Sequence, residues 1–148
     1  MTTFCKIVSP SSESDFKEYY QLRWELLRKP WNQPLGSERD ELEEEAIHYS
    51  AHNEEGLLLG VCRMHFLDKE TAQIRFMAVQ PAFKGLGIGR KLLEKAEDDA
   101  YANGIKKMIL QSRENAVVFY KRQGYQTIEK SFQLYGEIQH FLMQKQII

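Results

Sequence analysis

Three glycines within five positions, Gly85, Gly87 and Gly89, stand at the start of a helical pattern in FKGLGIGRKLLEKAEDDA, residues 83–100. Glycine costs roughly 0.5–1 kcal/mol against alanine inside a helix, so the bare backbone must serve another purpose. The preceding FMAV ends a strand-like segment, which makes the unit a strand, a tight turn and a helix N-terminus. Such a terminus presents unpaired N–H groups and about half a positive charge. Glycines ahead of it let an anion approach without a Cβ in the way. The charges point the same way. Lys84, Arg90 and Lys91 crowd the start of the helix and Glu97, Asp98 and Asp99 its end, the reverse of what the macrodipole favours. An anion at the start accounts for the inversion, and a glycine-rich turn with solvated charges is the plainer alternative. Ile88, Leu92, Leu93, Ala96 and Ala100 share one face and are assigned to the core.

The remaining segments surround this unit with strands and helices. Residues 4–8 read as a strand, closed by Ser9-Pro10-Ser11-Ser12, and helical spacing runs from about Asp15 to Arg28. Residues 29–36 carry two prolines and a glycine and form a loop; Ser37, with Asp40 three residues on, starts a second helix. Strands follow at about 47–53, 57–67 and 71–79, joined by short turns that make neighbours antiparallel. The glycine unit and its helix to about Ala102 lead to a strand in KKMILQS, a short helix in ENAVVFYKRQ and strands near 127–135 and 138–144. The order β-α-α-β-β-β-α-β-α-β-β is a mixed sheet with helices, α+β or α/β by class. A length of 148 residues suits a single domain, expected over 1–148.

Composition narrows the function. The formal net charge is −1, so no basic field calls for nucleic acid or an anionic membrane surface. Apolar runs are a few residues long, far short of the ~20 that span a bilayer, and MTTFCKIVSP reads as no signal peptide. Cys5 and Cys62 lie far apart and are expected as free thiols in a reducing cytoplasm. The four histidines form no HExxH pattern, and no metal is expected.

Among phosphate-binding loops, GxGxxG fails because Arg90 takes the place of its third glycine, and no register supplies GxxxxGK[ST]. The loop Lys84-Gly85-Leu86-Gly87-Ile88-Gly89 resembles the Q/R-x-x-G-x-G/A pyrophosphate loop of the GNAT superfamily, the acetyl-CoA-dependent N-acetyltransferases, with Lys84 in place of Arg or Gln. The stretch from Asn115 to Tyr125, NAVVFYKRQGY, is similar to the family's N-x-x-x-x-[FY]-Y-x-x-x-G-[FY] segment. The two motifs come in order, and the resemblance covers nearly the whole chain.

The resemblance implies a fold with a splayed central sheet and a direct transfer of acetyl from acetyl-CoA to a primary amine of a small molecule or peptide. The backbone at Met77, Ala78 and Val79 would pair with the pantetheine arm and polarise the thioester carbonyl. Residues Lys84, Gly85, Leu86, Gly87, Ile88, Gly89 and Arg90 would hold the pyrophosphate. Asn115 would bond the pantetheine or its phosphate, and Tyr120 would protonate the departing thiolate. Gln73 falls where some members carry a glutamate, and glutamine accepts no proton at neutral pH. The general base stays open among a water relay, Glu43, Glu44, His65 and His140. The loss of chemistry in a non-catalytic acyl-CoA-binding module stays open with it. On the acceptor side, Trp24 and Trp31 are candidates for an apolar pocket. The acidic run 41–45 could draw a cationic amine or be a solvated helix face. Arg63 and Arg75 either face a substrate carboxylate or phosphate or pair with acidic neighbours. The oligomeric state is open, a homodimer included.

Overall fold

The computed structural model describes residues 4–147; residues 1–3 and 148, the ends of the span expected for one domain, lie outside the described residues. Strand β1 (Lys6–Val8) leads into helix α1 (Glu13–Leu27), and β2 (Ile47–His52), β3 (Leu58–Phe66) and β4 (Thr71–Val79) follow. Then come α2 (Ile88–Ala102), β5 (Lys107–Arg113), α3 (Val117–Arg122), β6 (Gln126–Leu134) and β7 (Ile138–Gln146). Short 3-10 turns occupy Lys29–Trp31, Pro81–Phe83 and Glu114–Ala116. The hydrogen-bonded order is β1-β2-β3-β4-β5-β7-β6, a mixed sheet of the expected class. β4 and β5 pair in parallel, from Thr71↔Lys107 to Ile74↔Leu110, while β2–β3, β5–β7 and β6–β7 are antiparallel.

The chain forms two compact units. One comprises residues 4–65 and 76–96, and its core gathers Tyr19, Tyr20, Leu22, Leu58, Val61 and Ala78, with Phe16, Leu26 and Leu27 packed against them. The other comprises residues 66–75 and 97–147, and buries Ile74, Met108, Leu110, Tyr125 and Met143.

Local chemistry sets the element ends. α1 starts at Glu13, two residues before the expected position, because Ser12 and Asp15 close a reciprocal cap. The Asp15 amide donates to Ser12 Oγ at 3.0 Å and the Ser12 amide to Asp15 Oδ2 at 3.2 Å. Strand ends shift by one or two residues from expectation, as at Lys6 in β1 and Gln146 in β7.

The helix expected from Ser37 does not form; residues 35–38 and 41–45 are turns. Three of its acidic side chains are engaged with backbone instead of lying on a solvated helix face, while Glu41, Glu44 and Glu45 are exposed. Glu38 Oε1 accepts from the Gly36 amide at 2.8 Å, Asp40 Oδ1 from the Leu42 amide at 2.9 Å and Glu43 Oε2 from the Asp40 amide at 3.0 Å. These local bonds compete with a helical ladder, and the buried arginines described below draw in the carboxylates of Asp40 and Glu43.

One glycine of β3 has no local sequence signal. A Cβ on Gly60 would lie 3.0 Å from the Ala78 carbonyl oxygen, 3.2 Å from Val79 Cγ2 and 3.3 Å from Leu92 Cδ1. β3 therefore meets the end of β4 and the start of α2 through bare backbone. Gly60→Ala is expected to cost about 1–3 kcal/mol, seen as a lower urea midpoint at unchanged m-value. An unmoved midpoint would mean that these neighbours yield freely.

Candidate functional site

β4 ends at Val79, and the chain is then tied to β3: the Gln80 amide donates to the Leu59 carbonyl at 2.8 Å. After the 3-10 turn 81–83, Lys84 is extended, and Gly85 and Gly87 adopt left-handed φ values of +82° and +84°. Side-chain-bearing residues rarely take that conformation. The two reversals bring the chain directly into α2, whose first ladder bond runs from the Lys91 amide to the Gly87 carbonyl at 3.1 Å. The first turn of α2 contains no acidic residue. Lys84 and Arg90 are exposed beside it, and Arg90 meets Glu94 only at 3.7 Å. A Cβ on Gly85 would meet nothing within 4 Å, so space lies open beside the loop. Open backbone, helix N-terminus and flanking cations suit a phosphate-bearing anion.

The rest of α2 fits the sequence reading in part. Ile88, Leu92, Leu93, Ala96 and Ala100 are buried. Glu97, however, is engaged at its own end of the helix, accepting from Tyr125 OH at 2.8 Å and pairing with Lys145 Nζ at 2.9 Å. Part of the charge inversion is thus a local ion pair, and the cationic start carries the anion signal.

In the other unit, β5 runs into the 3-10 turn 114–116, which presents Asn115 at the surface. α3 follows to Arg122, and the chain turns away at Gly124, left-handed at φ +95°. Tyr120 is 7% exposed, edge-on to Phe119 at 5.0 Å and to Tyr125 at 5.9 Å. Gln73 and Arg75 lie half-buried on β4, with Gln73 opposite Ile109 of β5.

The first unit holds a polar cluster that the sequence did not reveal. Arg23 of α1 and Arg63 of β3 are fully buried. Arg23 Nη1 contacts Glu43 Oε1 at 2.9 Å and Oε2 at 3.0 Å, and its Nη2 donates to Tyr19 OH at 2.8 Å. Arg63 Nη1 donates to Asp40 Oδ1 at 2.6 Å and Glu43 Oε2 at 2.8 Å, and its Nη2 to Asp40 Oδ2 at 3.1 Å. Burial opposes the Arg63 charge, but Asp40 and Glu43 outweigh it and hold the guanidinium above its ordinary pKa. The Nε groups of Arg23 and Arg63 are buried without a hydrogen-bond partner. Their guanidinium carbons stand 4.3 Å and 4.8 Å from the centre of the Phe76 ring, with Arg28 at 5.6 Å. Phe76, on β4, has φ +56°, a left-handed conformation that costs an aromatic residue about 1–3 kcal/mol.

Arg63 is thus paired with acidic neighbours, one of the two alternatives open from sequence. Trp24 is half-buried and donates Nε1–H to the Gln33 carbonyl at 3.0 Å, which ties α1 to the following loop. Of the four groups considered as bases, Glu43 is bound by two guanidinium groups and by Tyr20 OH at 3.2 Å. Glu44 is exposed, and His65 and His140 are buried. His140 stacks on Phe132 at 4.4 Å, with Nδ1 2.9 Å from the Ile138 carbonyl. Cys62 is buried, which pushes its thiol pKa up to about 12 and leaves no thiolate at neutral pH. Among the described residues, no group of His, Cys, Asp and Glu is placed to hold a metal ion, and no helix is long and apolar enough to cross a membrane.

The same cluster makes stability depend on pH. His48 Nε2–H donates to the Glu43 carbonyl at 2.7 Å, so Nδ1, 2.8 Å from Tyr19 OH, is the acceptor of a neutral ring. Burial, helped by the charges of Arg23 and Arg63, depresses its pKa against the opposing pull of Glu43. The unfolded chain takes up this proton at a higher pH, near 6.5. Stability is therefore complete above about pH 6.5 and falls as the pH drops below it. Denaturation series between about pH 7.5 and 5 check this: His48→Gln is expected to flatten the dependence, and an unchanged slope would remove His48 as its source.

Residues 16–125 match the family described as the Acetyltransferase (GNAT) family. An uncharacterized N-acetyltransferase of Bacillus subtilis (strain 168), YjcF, is 32% identical over 143 residues, which is 95% of this chain and 99% of that protein. A GNAT-family acetyltransferase from Staphylococcus aureus Mu50 has a similar structure, with a TM-score of 0.80 at 17% identity, over 98% of this chain and 100% of that one. An aminoglycoside 6′-N-acetyltransferase complexed with coenzyme A gives a TM-score of 0.80 at 16% identity, over 99% of this chain and 98% of that one.

Proposed function

The chain belongs to the GNAT acetyltransferase family and is an acyltransferase, and on that premise we propose that it transfers acetyl from acetyl-CoA to a primary amine of a small molecule or peptide. The observation that carries the reading is the loop with left-handed Gly85 and Gly87 ahead of an acid-free helix N-terminus. In this reading one acetyltransferase domain spans 1–148 and works in the cytoplasm on its own or as a homodimer.

Acetyl-CoA supplies an activated thioester. Residues 84–90 bind its pyrophosphate through backbone amides, with Lys84 and Arg90 adding charge. The backbone of Met77, Ala78 and Val79 pairs with the pantetheine arm as an added strand would, and a strand amide polarises the thioester carbonyl. Asn115 bonds the pantetheine or its phosphate. A new N–C bond forms as the C–S bond breaks. Tyr120 gives its phenolic proton to the departing thiolate, solvent returns a proton to Tyr120 before the next turnover, and the amine's proton passes to water. We assign the base's role to solvent: Gln73 is no base, Glu43 is committed to Arg23 and Arg63, Glu44 is exposed and His65 and His140 are buried.

Amine-dependent release of free CoA, across a panel that includes polyamines, peptides and an aminoglycoside, tests the reading. Release above the amine-free rate with at least one amine is expected. Protein that binds acetyl-CoA yet releases none with any amine would be the non-catalytic module that Gln73 also permits.

The loop has its own test. Gly87→Ala is expected to cost about 1–2 kcal/mol of stability through its positive φ and to weaken CoA binding at least tenfold. Gly56→Ala, at φ +85° with open space around it, carries the same strain and should leave CoA affinity unchanged. Equal CoA affinity in the two variants would place the pyrophosphate elsewhere.

A further inference from the structure

β4 departs from its ladder where a cofactor would need free backbone. The pairs with β5 run only as far as Ile74↔Leu110. Two residues beyond, Phe76 turns left-handed at φ +56°, and Met77 follows directly. No glycine is used at this bend, so the conformation must be imposed by the surroundings. The imposing groups are visible. Arg23 and Arg63, each with a fully buried side chain, face the Phe76 ring at 4.3 Å and 4.8 Å. The Nη groups of Arg23 are tied to Glu43, the Glu38 carbonyl and Tyr19 OH and those of Arg63 to Asp40 and Glu43, and each Nε–H is buried without a hydrogen-bond acceptor. A flat aromatic face is the partner left for a guanidinium plane whose edge is already occupied.

We propose that Phe76 is a positioning residue for acyl transfer. Its ring is held by the Arg23 and Arg63 guanidinium planes, and this clamp fixes the bend that presents the backbone of Met77 and Val79 to the thioester arm of acetyl-CoA. Asp40 and Glu43 act one step further back, holding both guanidinium groups in place. The turns at 35–45 thereby take part in acyl-donor binding without touching the donor. The proposal rests on the acetyl-CoA reading above.

The clamp is tested by calorimetric titration of acetyl-CoA into wild type, Phe76→Leu and Phe76→Tyr. Leucine keeps an apolar filling but has no aromatic face, whereas tyrosine keeps the face. Phe76→Leu is expected to raise the dissociation constant for acetyl-CoA tenfold or more, and the KM for acetyl-CoA with it, while the KM for the amine stays within threefold. Phe76→Tyr is expected to remain within threefold of wild type on every count. Folded Phe76→Leu that binds acetyl-CoA as tightly as wild type, with only a lowered melting temperature, would reduce Phe76 to packing and overturn the proposal. If Phe76→Leu does not fold, Phe76→Met, with a more adaptable side chain, is put through the same titration with the same two outcomes. Failure of wild type itself to bind acetyl-CoA would instead sink the functional reading.

Discussion

Tyr120→Phe is expected to lower kcat by about a hundredfold or more and to leave the affinity for CoA nearly unchanged. Phenylalanine keeps the ring and its edge-on contacts with Phe119 and Tyr125, so the substitution removes the hydroxyl and little else. A phenol with an ordinary pKa of ~10 stays protonated at neutral pH and can donate to a thiolate whose conjugate acid, like cysteine, has a pKa of ~8.5. Loss of general-acid catalysis typically costs 10²–10⁴-fold, or roughly 3–5 kcal/mol of barrier. Steady-state kinetics with chemistry shown to limit turnover decide the matter. A variant within twofold of wild type would leave Tyr120 as a packing residue.

Glu43→Ala is expected to lower the unfolding free energy by about 3–5 kcal/mol, a large share of the ~5–15 kcal/mol typical of a folded domain. Its carboxylate bridges two buried guanidinium groups, with Arg23 at 2.9 Å and Arg63 at 2.8 Å. Without it Arg23 keeps only neutral oxygens, Tyr19 OH and the Glu38 carbonyl, and its charge stays buried. Asp40→Asn leaves Glu43 paired with both arginines, so it should cost less than Glu43→Ala. Urea denaturation measures both. A loss below about 1 kcal/mol for Glu43→Ala would mean that water enters and solvates the arginines.

What the sequence made legible was local. Gly85, Gly87 and the helix behind them could be read because loop, cap and apolar stripe fall within twenty consecutive residues. The strands from 47 to 79 could be read from the short turns between them, and the Asn115 to Tyr125 segment from its resemblance to the family's second motif. The segment after Ser37 misled because its acids look like a helix face in isolation. Their partners, Arg23 and Arg63, lie 20 residues away from Glu43 on either side, and no periodicity reports such a pairing. The left-handed Phe76 and the crowded Gly60 are likewise set by neighbours distant in sequence, Arg23 and Arg63 for one and Ala78 and Leu92 for the other. The base is illegible for a chemical reason. With Gln73 at the place a carboxylate would take, no side chain announces the role.

Isothermal titration of acetyl-CoA into the purified protein tests most directly the claim that the glycine loop and the end of β4 hold this donor. Saturable binding at one site per chain is expected, competed by CoA and much less well by ATP or GTP, which lack the pantetheine arm. A folded sample that shows no binding at millimolar acetyl-CoA, or that binds plain nucleotides as tightly as CoA, would contradict it.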